Sequence, residues 1–346
     1  MPDKPQKTVF VLGAGASAAS DFHLPVMKDF LARLSDERDS YPQLCTYLRR
    51  TYRRRKFSGI NLEDVYTQLE LDLDALASIR GRPQDSLIPV KKELQQFIRS
   101  RLDIGVREKP QRCSLHSRLL AGFPQGSTAD AVLTLNYDLV VDSTLWADAS
   151  DADGRLRTYG PLEGLYDLLR PRENIRGAVP SLLSDEREAG KYLKLHGSWG
   201  WLYCSNGTCP NHHVFFPEYL GFGGQDTGAG DPCALCGTDL DWVIVPPTMK
   251  KSFEQYPKLG LIWRLAHEVL KAADRVVFFG VSMAPSDYYL HWLIRSSLVY
   301  RDLAPHVTVI DKQEEACRTT ERLTGTKAEF FGGEDPICGY FAKYAP

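Results

Sequence analysis

Thr8-Val9-Phe10-Val11-Leu12-Gly13-Ala14-Gly15-Ala16-Ser17 is the stretch that decides the fold class. Its β-branched and apolar residues read as a buried strand, and the glycines that follow at once read as a tight turn into a helix. Two glycines there leave room for a phosphate beside the backbone. The following amides and the helix N-terminus offer donors, and Ser17 offers a hydroxyl. The third glycine of the dinucleotide fingerprint is missing, and small residues after a strand also serve close helix packing, so the turn fits both uses. Its candidate ligand-contacting residues are Gly13, Ala14, Gly15, Ala16 and Ser17.

Outward from this turn, short apolar or β-branched runs recur at 131–135, 192–195, 243–245, 275–279 and 307–310, most of them separated by stretches with helical spacing. The alternation predicts an α/β fold: a Rossmann-like, mainly parallel sheet covered by helices. Leu62, Val65, Leu69, Leu73 and Leu76 recur at three and four residues, as do Leu87, Val90, Leu94, Phe97 and Ile98. These positions predict amphipathic helices of a large insertion, 36–128, too long for a simple crossover and suited to capping a cleft or forming an oligomer surface. A second irregular region, about 148–190, carries Pro161, Pro171 and Pro180 and predicts short helices mixed with loops. Pro246-Pro247 ends the run at 243–245, because proline removes a ladder donor.

With 346 residues and 43% hydrophobic content the chain can bury a sizeable core. A formal charge of −2 gives no global pull toward nucleic acid or anionic membrane. Arg49, Arg50, Arg53, Arg54, Arg55 and Lys56 form a local basic run that reads as a solvated helix face, so a nucleic-acid partner is not indicated. No stretch approaches the ~20 apolar residues of a membrane span. Met1-Pro2-Asp3-Lys4 leads straight toward a strand and not into a signal peptide's apolar region, so a cytoplasmic location is expected.

Ligands of open α/β sheets gather at the carboxyl ends of strands, which points to Gly280 and Ser282 after the run at 275–279 and to Asp311 after the run at 307–310. Asp311 suits a ribose-hydroxyl acceptor or a helix N-cap equally. Asn136 and Asp138 lie two apart after the run at 131–135, so an extended backbone points both to one side. An amide with a carboxylate can read a carboxamide; the same pair can cap the helix that begins near Leu139. His196 stands where a strand gives way to Gly197-Ser198, a place at which an imidazole can face a cleft and titrate near neutral pH.

Of the eight cysteines, Cys204, Cys209, Cys233 and Cys236 form two close pairs, C-x4-C and C-x2-C. Four thiolates satisfy tetrahedral zinc with no open position, which makes the expected metal structural and the segment 199–242 a small zinc-ribbon module. The wider first pair leaves His212 or His213 as a substitute ligand.

Taken in order, Gly13-Ala14-Gly15-Ala16-Ser17, Leu135-Asn136-Tyr137-Asp138, Leu195-His196-Gly197-Ser198, the paired cysteines and Gly280-Val281-Ser282 resemble the sirtuin superfamily, and more closely its bacterial sirtuin-like branch. The match spans nearly all of residues 1–346, but in islands. The resemblance implies that Asn136 and Asp138 contact the nicotinamide end of NAD, that His196 acts as base and that the cysteine quartet holds zinc. Two departures stand out. Phe22-His23-Leu24-Pro25-Val26-Met27-Lys28 keeps a proline and loses the arginine of the deacylase loop, and Val243-Ile244-Val245-Pro246-Pro247-Thr248-Met249-Lys250 replaces the segment with which deacylases hold an acyl-lysine peptide. Sirtuin-like proteins with such departures look like NAD-hydrolysing antiphage effectors. That likeness implies an NAD glycohydrolase that takes NAD as substrate, forms homo-oligomers, and answers to a partner ATPase or a phage-derived trigger. An NAD-dependent protein-lysine deacylase and a non-catalytic NAD- or ADP-ribose-binding subunit are the alternatives.

Overall fold

The computed structural model describes residues 6–27, 30–73, 86–106, 111–121, 131–149, 191–213, 216–217, 228–245 and 256–344. Its strands are β1 (Thr8–Leu12), β2 (Ala131–Thr134), β3 (Lys191–Lys194), β4 (Gly197–Cys204), β5 (Phe216–Pro217), β6 (Leu240–Ile244), β7 (Arg275–Phe279), β8 (His306–Ile310) and β9 (Ala328–Phe331). Six of them form one sheet in the order β3-β2-β1-β7-β8-β9, every neighbouring pair parallel. Counted along the chain within that sheet, the order is 3-2-1-4-5-6, the doubly wound arrangement whose switch point lies between β1 and β7. Most residues of β1, β2, β7 and β8 are buried, as expected of parallel strands covered on both faces.

The helices are α1 (Ala14–Ala18), α2 (Pro42–Tyr52), α3 (Leu62–Leu71), α4 (Ile88–Leu102), α5 (Ser114–Leu119), α6 (Val140–Ala149), α7 (Pro257–Ala272), α8 (Tyr288–Ile294), α9 (Glu314–Thr324) and α10 (Pro336–Tyr344). Local chemistry sets their limits. Asn61 caps α3 by accepting from the Glu63 amide, and Glu63 and Asp64 place negative charge on its first turn. Gly325, at φ +69, ends α9 in the left-handed conformation. Most apolar positions read from the sequence are buried, Leu62, Val65 and Leu69 on α3 and Val90, Leu94, Phe97 and Ile98 on α4, while Leu73 lies past the end of α3 and is half-buried. Leu76, Pro161, Pro171, Pro180 and Pro246-Pro247 lie outside the described residues. Arg49, Arg50, Arg53, Arg54, Arg55 and Lys56 are all exposed around the C-terminal end of α2.

The run at 243–245 does not join the parallel sheet. It belongs to β6, which pairs antiparallel with β4 in a separate sheet of order β5-β4-β6. An apolar run as short as this one carries no mark of which sheet it will enter. β4 divides its side chains by strand alternation: Trp201 and Tyr203 enter the core of the parallel sheet, while Leu202 and Cys204 enter a second core shared with α2, α3 and α4. A register irregularity between Ser198 and Leu202 turns Trp199 into that second core as well. There the Arg99 guanidinium lies over the rings of Trp199 at 5.7 Å and Trp242 at 5.2 Å.

Candidate active site

The carboxyl ends of β1 and β7 meet at the switch point and are locked together. The Gly13 amide donates to Phe279 O and the Gly15 amide to Gly280 O, both at 3.0 Å. A Cβ on Gly13 would lie 2.4 Å from Gly280 O, one on Gly15 2.6 Å from Gly280 Cα, and one on Gly280 2.3 Å from the Ala16 nitrogen. Gly280 also has φ +63, which side-chain-bearing residues seldom adopt. These glycines therefore serve backbone-to-backbone packing, and the amides of Gly13 and Gly15 are spent inside the protein. Ala14 and Gly15 are only half-buried, whereas Ala16 and Ser17 are buried.

Asn136, just past β2, ties itself to this turn. Its Nδ2 donates to Gly13 O at 2.9 Å and to Ser17 Oγ at 2.8 Å, and its own amide donates to Thr134 Oγ1. Asp138 is buried, and its Oδ1 accepts at 3.0 Å from the amide of Val140, the first residue of α6. Burial pushes the Asp138 carboxyl above the usual carboxylate range, while the charge of Lys194 and a hydrogen bond with Ser17 pull the other way. Asn136, Ser17 and Asp138 thus form one network across the ends of β1 and β2.

His196 follows β3. The next residue, Gly197, has φ +83, and a Cβ there would lie 2.1 Å from Val243 O, so only glycine lets the chain turn from β3 into β4. His196 is 3% exposed, with Nε2 3.0 Å from Oδ2 of the equally buried Asp287. Its ring stacks on Trp263 at 6.1 Å and lies 6.2 Å from the ring of Tyr137, the residue between Asn136 and Asp138. Asp287 caps α8 by accepting from the Leu290 amide, and neighbouring Ser286 donates to Glu63 Oε2 at 2.6 Å, which fastens this loop to α3. Gly280 joins the glycine turn, whereas Ser282 is exposed. Asp311 Oδ1 accepts from the Gln313 amide at 2.8 Å, and burial raises its carboxyl. It acts as a turn cap at the end of β8.

Two parts of this neighbourhood were absent from the sequence reading. Asp287 precedes an apolar helical stretch, so in sequence it looks like any N-cap. Lys194 is fully buried, with Nζ 2.7 Å from Asp142 Oδ2 and 2.5 Å from Asp138 O, and Tyr192 donates to the same Asp142 oxygen at 2.8 Å. A lysine inside an apolar strand was the available signal.

The sulfur atoms of Cys204, Cys209, Cys233 and Cys236 all lie within 4.8 Å of one another. Cys204 and Cys236 are 3.5 Å apart, and Cys209 and Cys233 3.8 Å. Four sulfurs at the zinc–thiolate bond length sit roughly 3.8 Å apart on a tetrahedron, so the cluster fits a closed zinc site. Hydrogen bonds with Thr238 draw the exposed Cys236 thiol down to about 6, while burial pushes the neighbouring Cys204 thiol up to about 12, so the metal-free cluster favours only one of the two as thiolate. His212 stands outside this group and directs Nδ1 to Cys204 O at 2.8 Å. The side chain of His213 lies outside the described residues.

The fold is that of a doubly wound α/β protein with its ligand-type side chains on the carboxyl side of the sheet. No family model and no curated protein matches the chain. Among solved structures it is similar to Sir2 bound to an acetylated peptide, at 14% identity and TM-score 0.45 over 96% of this chain and 90% of that one. It is also similar to Sir2Tm bound to a propionylated peptide, at 13% identity and TM-score 0.44 over 96% and 90%. A variant Sir2 homologue in complex with ADP-ribose gives 11% identity and TM-score 0.44 over 99% and 96%. These values describe overlap of backbones and assign no residue of this chain a role. Among the described residues no helix is long and apolar enough to cross a membrane.

Proposed function

We propose that this protein is a sirtuin-like, NAD-consuming enzyme and, within that class, an NAD glycohydrolase that releases nicotinamide and ADP-ribose. The reading is carried by side chains that follow β1, β2 and β3 on the carboxyl side of the sheet. Asn136 clasps the glycine turn and Ser17 on one side, and the His196–Asp287 pair stands beside Tyr137 on the other. With Nδ2 of Asn136 already committed, its Oδ1 is the atom that accepts from the carboxamide of nicotinamide, next to the Asp138 carboxyl. His196 takes the proton of the attacking water or of a ribose hydroxyl, and Asp287 holds the ring in place for that step. The dinucleotide's path runs along the strand ends past Ala14, Ser282 and Asp311, with Gly13, Gly15, Ala16, Ser17 and Gly280 packed beneath it. Cys204, Cys209, Cys233 and Cys236 hold a structural zinc that stabilises the lobe formed by 199–242, and 36–128 acts as the helical insertion. The sequence resemblance extends this reading to NAD depletion in antiphage defence, under a phage-derived trigger or a partner ATPase.

The test is incubation of the purified protein with NAD, alone, with candidate activators and with acyl-lysine peptide, and chromatography of the products. Nicotinamide and ADP-ribose are expected without peptide, with release abolished in His196→Ala and lowered roughly 10- to 1,000-fold in Asp287→Asn. A strict need for peptide, with O-acyl-ADP-ribose as product, assigns a deacylase instead. Calorimetric NAD binding with no product in any arm assigns a binding subunit. Undiminished release from His196→Ala refutes the catalytic role of the imidazole.

A further inference from the structure

β3 ends in a buried charge that takes no part in water activation or proton transfer. Lys194 is 0% exposed, and its ammonium meets Asp138 O at 2.5 Å and Asp142 Oδ2 at 2.7 Å. Asp142 is equally buried, and its Oδ1 has no hydrogen-bond partner among the described residues. An ion pair left incompletely satisfied in an interior adds little stability, because two apolar side chains of similar volume avoid the desolvation of both charges. What a cation alone can do at this position is grip the Asp138 carbonyl and set positive charge beside Asn136-Tyr137-Asp138.

The corner between β3 and β4 holds that segment from both sides of His196. Before the histidine, Lys194 Nζ donates to Asp138 O. After it, the Trp199 amide donates to Tyr137 O at 3.2 Å, and Ser198 Oγ donates to the same oxygen at 3.4 Å. Two consecutive carbonyls beyond β2 are thus clamped by residues that flank the imidazole. Resting on the NAD reading above, we propose that Lys194 is a positioning residue for the nicotinamide end: its ammonium fixes the Asp138 peptide against the β3–β4 corner, so that the Asn136 amide and the Asp138 carboxyl meet the nicotinamide carboxamide together and in register with His196. Charge acts in the same direction, since the amide of nicotinamide donates and an ionised carboxyl is the stronger acceptor. Burial raises the Asp138 carboxyl; Lys194 from β3, Ser17 from α1 and the Val140 amide of α6 lower it, and Asp142 from α6 raises it by less than Lys194 lowers it. Without Lys194 and Asp142 together, that carboxyl is harder to ionise.

Steady-state kinetics of the full chain carrying Lys194→Met with Asp142→Leu tests it. This variant leaves no buried charge alone and is expected to keep the circular dichroism of the wild type. Its kcat/KM for NAD should fall about tenfold, as for one misplaced hydrogen bond, while its Ki for ADP-ribose, which lacks the nicotinamide, stays within about twofold of the wild type. The acid limb of the kcat/KM profile should move upward by about one pH unit. Lys194→Gln with Asp142→Asn, neutral and still able to hydrogen-bond, is the second variant and should show the same displaced limb. A lysine with only a structural role would weaken NAD and ADP-ribose alike and leave the limb in place. An unchanged kcat/KM, equal losses for both ligands, or an unmoved limb in both variants overturns the inference. A wild type that releases no nicotinamide under any activator or peptide condition overturns the NAD reading itself, and the role of Lys194 with it.

Discussion

Gly280→Ala puts the lock between β1 and β7 under direct load. The new Cβ would stand 2.3 Å from the Ala16 nitrogen and 2.4 Å from Gly15 C and Cα, where ordinary contact begins at 3.4 Å. All three are backbone atoms, so no side chain can swing aside and the turn must retreat by about 1 Å. Two costs add. Holding alanine at φ +63 costs roughly 1–2 kcal/mol, and the displaced backbone, which stretches the Gly15-to-Gly280 hydrogen bond, costs roughly 1–3 kcal/mol more. Gly325→Ala supplies the control. Its φ of +69 is nearly the same, but nothing lies within 4 Å of the added Cβ, so only the conformational cost of roughly 1–2 kcal/mol applies. Urea unfolding followed by circular dichroism measures both. A Gly280→Ala variant no less stable than Gly325→Ala, at equal m-values, refutes the claim that these glycines exist for close backbone packing.

Burial depresses His116 from its ordinary 6.5 to about 4, and its Nε2 has no hydrogen-bond partner among the described residues. The unfolded chain takes up this proton first, so stability present above pH 6.5 falls as pH drops toward 4, by about 3 kcal/mol over the window. Urea titrations at stepped pH should show that slope in the wild type and a flatter one in His116→Gln; equal slopes refute the assignment. Lys194→Met strands the buried Asp142 carboxylate and should cost roughly 3–5 kcal/mol, most of it recovered in Lys194→Met with Asp142→Leu. If the double variant is as unstable as the single one, the charge pair is not what Lys194 supplies. Elemental analysis should find one zinc per chain, lost in Cys233→Ser together with thermal stability. A zinc-free protein that keeps its stability under chelators contradicts a structural metal.

Strand and helix identities were legible because they depend on local pattern. Thr8–Leu12 and Arg275–Phe279 are apolar over strand length, and Val90, Leu94, Phe97 and Ile98 keep helical spacing, so the α/β class could be read directly. The cysteine pairs were legible for another reason: thiols brought close by the chain have few chemical uses, and all four meet. The uses of the glycines and polar residues were not. Gly13 and Gly15 look the same in sequence whether they face a phosphate or Gly280, and Asp138, Asp287 and Asp311 share the look of a helix or turn cap although only Asp287 lies against His196.

From its order of residues this chain carried most of the parallel strands, its parallel character and the shortlist of polar groups at strand ends, since each depends on neighbours a few positions apart, but β4 and β9 did not stand out as strand-forming runs. Folding in three dimensions decided the rest. It sent β6 to the antiparallel sheet, paired His196 with Asp287 across 91 positions, joined Asn136 to the turn at Gly13, and buried Lys194 against Asp142. Those outcomes depend on which strand ends become neighbours, and strand order is a property of the packed sheet that no local pattern encodes.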